Sequence, residues 1–319
     1  MILIKIKTEK NKIKKKIKTK DLTKYLYIAY KFILIVILYL LNISKSIYKS
    51  SDRNCFLSPD NSNKKIIHLI ITRFMLESFK LNGFNKKIYT KEYLENGIRV
   101  MKKYLFPSLE YQRCKDFIWV LNVGDKANIT LIKSLLNFKR GFKSIIIYNK
   151  EKEQFIMNVT KNADVLITTR IDYDDRIYYN AVNDVRKQVN ISKPMFLYGY
   201  DKGFVYYEQS DIYTEFFHKW KNQGAMSIFE SLIIFKSKVN NLYTIYDIGV
   251  HMKIRTNLLK NYKKYGLEKL DYEPAFFETE LPKFVWVRQN FSGTFRHNDI
   301  PKTKAVNFNL ERFYGIKKQ

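Results

Sequence analysis

The sequence predicts an α/β fold in which helices flank a mostly parallel sheet. Two observations support this prediction. Short runs of aliphatic and β-branched residues alternate along the chain with longer amphipathic segments, which is the pattern of successive β–α–β units. One of these runs, Val165–Thr169, leads directly into a cluster of carboxylates, and such sheets bind ligands at the carboxyl ends of their strands.

The elements of the predicted sheet follow one another between Ile66 and Val189. Each of four strand-like segments precedes a helix-like segment, so right-handed crossovers are expected. The strands are predicted at Ile66–Ile71, Phe117–Val123, Ser144–Tyr148 and Asp164–Thr169, and the helices at Lys91–Phe106, Asn128–Asn137, near Glu151–Lys161 and at Arg176–Val189. Beyond them, three further segments predict a meander of the strands Met195–Tyr200, Phe204–Tyr207 and Ile212–His218.

The N-terminal part of the chain differs from the rest. Residues 1–24 form a lysine-rich tail, and residues 25–43 form an apolar stretch that is long enough to span a bilayer. This stretch predicts an N-terminal hydrophobic helix that acts as a single-pass membrane anchor. A helix lying in the membrane interface and a helix packed on the domain are the alternatives. The lysines before the stretch favour a cytoplasmic N-terminus, but Lys45, Lys49 and Arg53 after it weaken that signal. Residues 44–65 are predicted to be a linker, and residues 66–319 the main domain.

Charge and cysteine content by themselves exclude few classes of function. The net charge of +28 is expected to attract nucleic acid, anionic membrane surfaces or phosphate-bearing substrates, and a lysine-rich solvated surface is the alternative. Nucleic acid is not favoured as a partner because the sequence contains no zinc-finger or RNA-recognition signature. Cys55 and Cys114 predict neither a disulfide framework nor a zinc site.

Three carboxylates follow the strand that ends at Thr169. The segment from Thr169 to Asp175, which we call the Asp box, reads Thr-Arg-Ile-Asp-Tyr-Asp-Asp and contains Asp172, Asp174 and Asp175. Carboxylate oxygens suit hard divalent cations that also bind phosphates. The alternative is a loop that caps the next helix, because Asp is favoured in the first turn of a helix.

The Asp box occurs with two other segments in a characteristic order. Thr72-Arg73-Phe74 follows the first strand, and a Pro-Ser-Leu sequence at Pro107 precedes the Phe-Ile-Trp sequence at Phe117. Together these segments resemble GT-A glycosyltransferases, which have a Rossmann-like fold, and more narrowly the rhamnosyltransferase family. The resemblance covers about residues 66–300 of the chain.

The resemblance implies an enzyme that moves a sugar from a nucleoside-diphosphate sugar to a glycan or lipid-linked acceptor. Mn²⁺ or Mg²⁺ would stabilise the departing diphosphate. Asp174 and Asp175 are then expected to contact the metal or the diphosphate, and Asp172 the sugar or ribose. Arg73 and Arg170 are candidates for diphosphate binding because guanidinium groups bind phosphate oxygens through two donors.

Three further roles are a contact to the base or ribose, a late metal ligand and a catalytic base. Asp125 is a candidate contact for the base or ribose, with an ordinary Gly-Asp turn as the alternative. The late metal ligand is expected at His251 rather than at His297, which lies in a polar, loop-like segment. The similar family tends to have His after its Trp-containing strand, but this chain has Gln289 or Asn290 there. An inverting reaction would need a base, and Glu230 and Asp247 are the candidates; a retaining reaction would need none.

Two rival classes of function stay open at this point. One is a basic nucleic-acid-binding protein, and the other is a non-catalytic membrane-associated protein. A phosphoryl-transfer enzyme of the P-loop type is not favoured because the sequence lacks the Gly-rich phosphate-binding loop.

Overall fold

The computed structural model of the chain describes residues 55, 63–76, 89–136, 141–189, 194–200, 202–208, 212–217, 229–238, 242–248, 257, 260–265, 275–277 and 284–288. These residues belong to one compact unit, Asn54–Gln319. The predicted lysine-rich tail and apolar stretch, residues 1–43, lie outside the described residues.

The described strands, in chain order, are β1 (Ile66–Phe74), β2 (Ile118–Val123), β3 (Lys143–Tyr148), β4 (Val165–Arg170), β5 (Arg176–Ile177), β6 (Met195–Tyr200), β7 (Lys202–Tyr207), β8 (Ile212–Phe217), β9 (Glu230–Phe235), β10 (Ala275–Phe277) and β11 (Phe284–Arg288). The described α-helices are α1 (Lys91–Lys103), α2 (Leu105–Glu110), α3 (Ile129–Leu135), α4 (Lys152–Thr160), α5 (Ala181–Lys187) and α6 (Ile245–Ile248). Short 3₁₀ helices cover Asn149–Glu151, Lys236–Lys238 and Tyr262–Tyr265.

A seven-stranded sheet forms the centre of the fold, with the order β3-β2-β1-β4-β9-β6-β10. Neighbouring strands are parallel except at β9, which is antiparallel to both β4 and β6. The predicted mostly parallel sheet with flanking helices is therefore confirmed. β4 is buried at all of its residues, as expected of an interior strand between two covered faces.

A second sheet has the order β5-β11-β7-β8 and corrects two sequence predictions. The predicted helix Arg176–Val189 begins instead with β5, and its helical part is only Ala181–Lys187. The predicted meander is divided between the sheets, because β6 pairs with β9 and β10 while β7 and β8 form an antiparallel pair. Residue patterns identify strands but not the sheet that each strand joins.

The predicted helix Lys91–Phe106 is interrupted at Tyr104. Helix α1 begins after Thr90, whose Oγ1 accepts a hydrogen bond of 3.2 Å from the Tyr93 N–H. Pro107 in the first turn of α2 has no N–H, so it cannot donate to the carbonyl of Lys103 four residues earlier. Arg176 Nη2 donates to that carbonyl instead, at 3.1 Å, and thereby connects β5 to the junction of the two helices.

Different helices cover the two faces of the main sheet. Ile70 and Phe74 of β1 pack in a cluster with residues of α1, α2, α3 and α5. Leu69 and Ile71 pack on the opposite face with residues of α4 and with Tyr246 of α6. Because successive side chains of a strand alternate between faces, Arg73 is on the α6 side, one pleat beyond Ile71.

A disulfide joins Cys55 to Cys114, with Cα atoms 5.0 Å apart. The two cysteines gave no indication of this disulfide in the sequence. The residues are 59 positions apart in the sequence, and only the folded chain brings the segment before β1 next to the loop between α2 and β2.

The prediction of a membrane-anchored protein is corrected. Within the part of the chain that the structure describes, no helix is both long and apolar enough to cross a bilayer. Helix α1, for example, has 13 residues and carries charged residues at both ends, whereas a spanning helix needs about 20 mostly apolar residues. The apolar stretch 25–43, on which the prediction was based, lies outside the described residues.

Gly97 of α1 provides a test of how tightly this helix packs on β1. A Cβ at this position would lie 2.4 Å from Cε2 of Phe74, whose ring is held by Tyr93 and Tyr173. Replacing Gly by Ala in a helix gains up to about 1 kcal/mol, but overpacking a core costs about 1–3 kcal/mol, so we expect Gly97→Ala to destabilise the fold. Urea unfolding measures this difference.

The matched control is Gly141→Ala, because a Cβ there would meet no atom within 4 Å. A Gly97→Ala variant at least as stable as the wild type would contradict the packing described for α1 and β1.

Candidate functional site

The order of the main sheet places a topological switch point between β1 and β4. The chain proceeds from β1 to β2 and β3 on one side and then returns to β4 on the other side of β1. In open α/β sheets, ligands bind beside the carboxyl ends of the strands at such a point. Arg73 lies at the carboxyl end of β1 and Arg170 at that of β4, so the structure brings these two predicted site residues together.

Both arginines contact the ring of Tyr246 in α6. The guanidinium carbon of Arg73 is 4.2 Å from the ring centroid, and that of Arg170 is 5.0 Å away. The hydroxyl of Tyr246 donates to the Ile71 carbonyl at 3.1 Å. Tyr246 was not predicted as a site residue, and nothing in its sequence context distinguishes it from the many other tyrosines of the chain.

Arg170 is only 3% exposed and pairs with Asp172 of the Asp box, Nη2 lying 3.3 Å from Oδ1. Among the described residues, its Nε and Nη1 have no hydrogen-bond partner. Burial alone would lower the pKa of Arg170, but the nearby Asp172 and Tyr246 outweigh it, and the pKa is raised. Arg170 therefore stays charged, and two of its buried donors have no partner among the described residues.

The pKa of Arg73 is determined by a different balance of effects. Burial lowers its pKa, Tyr246 opposes this effect, and the positive charge of Arg170 lowers the pKa further. Two guanidinium groups thus lie close together in a partly desolvated position, where like charges are costly unless an opposite charge is nearby. This arrangement suits a ligand with more than one negative charge.

The Asp box is fixed against β1 and α1 through Tyr173. The ring of Tyr173 contacts that of Phe74 edge-on, with centroids 5.3 Å apart. Burial raises the pKa of Tyr173, and so does the negative charge of Asp174. The turn is closed by the Asp175 N–H, which donates to the Asp172 carbonyl at 3.2 Å.

The three carboxylates of the box differ in exposure. Asp172 and Asp174 are partly exposed, whereas Asp175 is only 1% exposed. Within the described residues, no three His, Cys, Asp or Glu side chains are grouped closely enough to hold a metal ion by themselves. His251, the predicted late ligand, and His297, its alternative, lie outside the described residues. The carboxylates present suit a cation of the Mg²⁺ type, which is commonly held by one or two carboxylates together with substrate phosphates.

Glu230, one of the two predicted bases, begins β9 directly opposite Arg170 in the strand register. It is completely buried, and among the described residues neither carboxylate oxygen has a hydrogen-bond partner. Burial raises the pKa of Glu230 well above its usual value, although the charge of Arg170 opposes the shift. Glu230 is therefore placed next to Arg170, beneath the surface of the site.

Asp247 and Asp125 both have local structural partners. Asp247 is paired with Lys152, and its Oδ2 accepts two hydrogen bonds of 2.7 Å from the N–H and hydroxyl of Thr244 at the start of α6. Asp125 is exposed, and its Oδ1 accepts a hydrogen bond of 3.0 Å from the Lys150 N–H. This bond connects the end of β2 to the turn after β3. The identity of the base stays a prediction, and so does a ligand contact at Asp125.

Gly124, next to Asp125, has a clear steric role. A Cβ on this residue would lie 2.1 Å from the carbonyl oxygen of Met75. Met75 has φ of 55°, a left-handed conformation that is uncommon for a residue with a side chain and is often found near functional sites. The close approach lets β1 and β2 end side by side next to Arg73.

Comparisons with known proteins show only distant structural similarity. No protein-family model matches the chain, and no curated protein matches it. Among solved structures, the chain is similar to the inositol-1-phosphate CTP transferase from T. maritima, with 13% identity over 70% of this chain and 89% of that one, and a TM-score of 0.33. It is also similar to a cytidylyltransferase from Leptospira borgpetersenii serovar Hardjo-bovis, with 12% identity, coverage of 68% and 77%, and a TM-score of 0.33.

These likenesses are too distant to assign a reaction to the chain. No family model or curated protein supports the rhamnosyltransferase resemblance.

The raised pKa of Glu230 predicts a specific pH dependence of stability. A carboxyl whose pKa is raised by folding favours the folded state below its unfolded pKa of about 4.3, and this contribution is lost as the pH rises through the folded value. Glu230→Gln removes the ionisation, so we expect the variant to be more stable than the wild type at about pH 8 and not at about pH 4. Urea unfolding at both pH values measures the difference.

Glu95→Gln is the control, because Glu95 is an exposed residue of α1. An equal effect of Glu230→Gln at the two pH values would show that Glu230 ionises normally in the folded protein.

Proposed function

We propose that this chain is a GT-A-type glycosyltransferase that moves a sugar from a nucleoside-diphosphate sugar to a hydroxyl of a glycan or lipid-linked acceptor. The observation that supports this proposal most directly is the pair of guanidinium groups, Arg73 and Arg170, at the switch point beside the Asp box. Within this class, the resemblance to the rhamnosyltransferase family suggests a deoxyhexosyl donor such as a rhamnosyl nucleotide.

The reaction breaks the bond between the anomeric carbon and the diphosphate, and forms a new bond from that carbon to the acceptor oxygen. Negative charge develops on the departing diphosphate. Fixed cationic groups lower the barrier when they are placed where charge develops, because they need no reorganisation during the reaction. Arg73 and Arg170 would bind the diphosphate oxygens in this way, each through paired N–H donors.

The acidic residues have complementary roles in this proposal. Asp172, which is partly exposed and pairs with Arg170, would accept hydrogen bonds from hydroxyl groups of the sugar or ribose. Asp174 and Asp175, with His251 as the predicted further ligand, would hold Mn²⁺ or Mg²⁺, which acts as a Lewis acid toward the diphosphate when bound. Glu230 and Asp247 stay the candidate bases for the acceptor proton.

A donor screen with the full chain tests the proposed function. The protein is incubated with a panel of nucleoside-diphosphate sugars and either Mn²⁺ or Mg²⁺, and release of the nucleoside diphosphate is measured. We expect turnover of one donor or a small group of related donors. Formation of a nucleotide sugar from a nucleoside triphosphate and a sugar 1-phosphate would instead indicate nucleotidyl transfer and contradict the proposal.

Substitutions in the Asp box are expected to separate catalysis from folding. Asp174→Asn should lower kcat/KM about 100-fold or more, because several kcal/mol of charge stabilisation depend on the cation. Its Tm should change little because Asp174 is partly exposed. Asp175→Asn should lower both activity and Tm because Asp175 is only 1% exposed, so a changed side chain disturbs the buried surroundings of the box.

The control is Glu153→Gln, an exposed acid in the first turn of α4. Wild-type activity in Asp174→Asn and Asp175→Asn at saturating metal would remove the Asp box from the reaction.

A further inference from the structure

Tyr246 spans the switch point because it is attached to both strands that border it. On one side, the N–H of the preceding residue, Ile245, donates to Thr168 Oγ1 of β4 at 2.9 Å. On the other side, the Tyr246 hydroxyl donates to the Ile71 carbonyl of β1 at 3.1 Å. The ring is thereby fixed at its backbone end to one strand and at its hydroxyl end to the other.

The two arginines need an external constraint to stay where the strands end. Their positive charges repel each other, and a long Arg side chain has about 2 kcal/mol of rotamer entropy to lose when it is held in one conformation. The face of an aromatic ring attracts a guanidinium group, and Tyr246 contacts both. The ring can therefore hold both groups in the site against their mutual repulsion.

An aromatic ring holds a guanidinium group in a way that a carboxylate does not. A carboxylate neutralises the charge and occupies N–H donors, whereas a ring leaves most of the charge and the donors available. Within the described residues, Arg170 has two such donor atoms, Nε and Nη1, without partners. A ligand with two adjacent anionic groups would match two guanidinium groups that are held in this way.

We propose that Tyr246 is a positioning residue that fixes Arg73 and Arg170 for binding a diphosphate. This inference rests on the proposed function only in that the proposed sugar donor supplies the diphosphate. Tyr246 acts through the arginines, and its effect is expected on the affinity for diphosphate groups rather than on the transfer step itself.

Titration calorimetry with inorganic pyrophosphate, without divalent cation, tests this role in the full-length protein. Tyr246→Leu and Tyr246→Met remove the ring, and we expect each to weaken pyrophosphate binding about tenfold, because two guanidinium contacts to the ring are lost. Tyr246→Phe keeps the ring and loses only the hydroxyl, which bonds to the Ile71 carbonyl and to the Arg73 side chain, so its affinity should fall by no more than about threefold.

Tyr243→Leu is the matched control. Tyr243 precedes the same helix, and its hydroxyl donates to the Lys264 carbonyl rather than to the strands of the switch point. Circular dichroism and Tm are measured for every variant, because a purely structural role of Tyr246 would lower Tm and leave the affinity of the folded protein unchanged.

The outcomes distinguish this inference from the proposed function. The role of Tyr246 is overturned if the Leu and Met variants bind pyrophosphate as the wild type does, or if the wild type does not bind it. This holds whichever sugar donor the protein uses. If only one of these two variants folds, that variant decides. If neither folds, Tyr246→Phe decides, and a loss of affinity greater than about threefold overturns the proposal because the ring alone then does not hold the arginines. If binding depends on the ring but no sugar donor is consumed, the proposed glycosyl transfer fails while the role of Tyr246 stands.

Discussion

The described structure depends on holding two positive charges close together at the ends of neighbouring strands. Arg73 and Arg170 extend from β1 and β4, where the chain reverses its direction of winding, and Arg170 is almost completely buried. Few residue types can stabilise such a pair without cancelling its charge. Tyr246 provides an electron-rich surface, and Asp172 provides one carboxylate at the edge. The remaining positive charge would attract an anion to this point.

The surrounding packing serves to keep these strand ends in register. Phe74, next to Arg73, packs between α1 and Tyr173 of the Asp box, so one aromatic cluster aligns the helix, the strand and the carboxylates. Gly124 permits the close approach of the chain after β1 to the end of β2. A displacement of α1 would therefore be expected to move the Asp box relative to Arg73, although α1 and the Asp box are far apart in the sequence.

The parallel strands and the Asp box could be predicted from the sequence because both are encoded by neighbouring residues. The aliphatic run Val165–Thr169 and the carboxylates that follow it are continuous in the chain. The antiparallel insertion of β9, the assignment of β6 and β7 to different sheets, and the contact of Tyr246 with both arginines depend on segments far apart in sequence. Neither hydrophobic period nor residue type carries that information. The surroundings of the two candidate bases could not be predicted either. The burial of Glu230 and the ion pair of Asp247 with Lys152 arise only in the folded chain.

The disulfide between Cys55 and Cys114 has a consequence for how the protein can be handled and cleaved. It encloses β1 and α1, with the strand end that carries Arg73, in a covalent ring of 59 positions, which restricts the unfolded chain by about 4 kcal/mol at 25 °C. A protease that cuts once within this ring would leave both fragments attached, and they would separate on a denaturing gel only after reduction. The same bond makes the stability of this part of the chain dependent on oxidising surroundings.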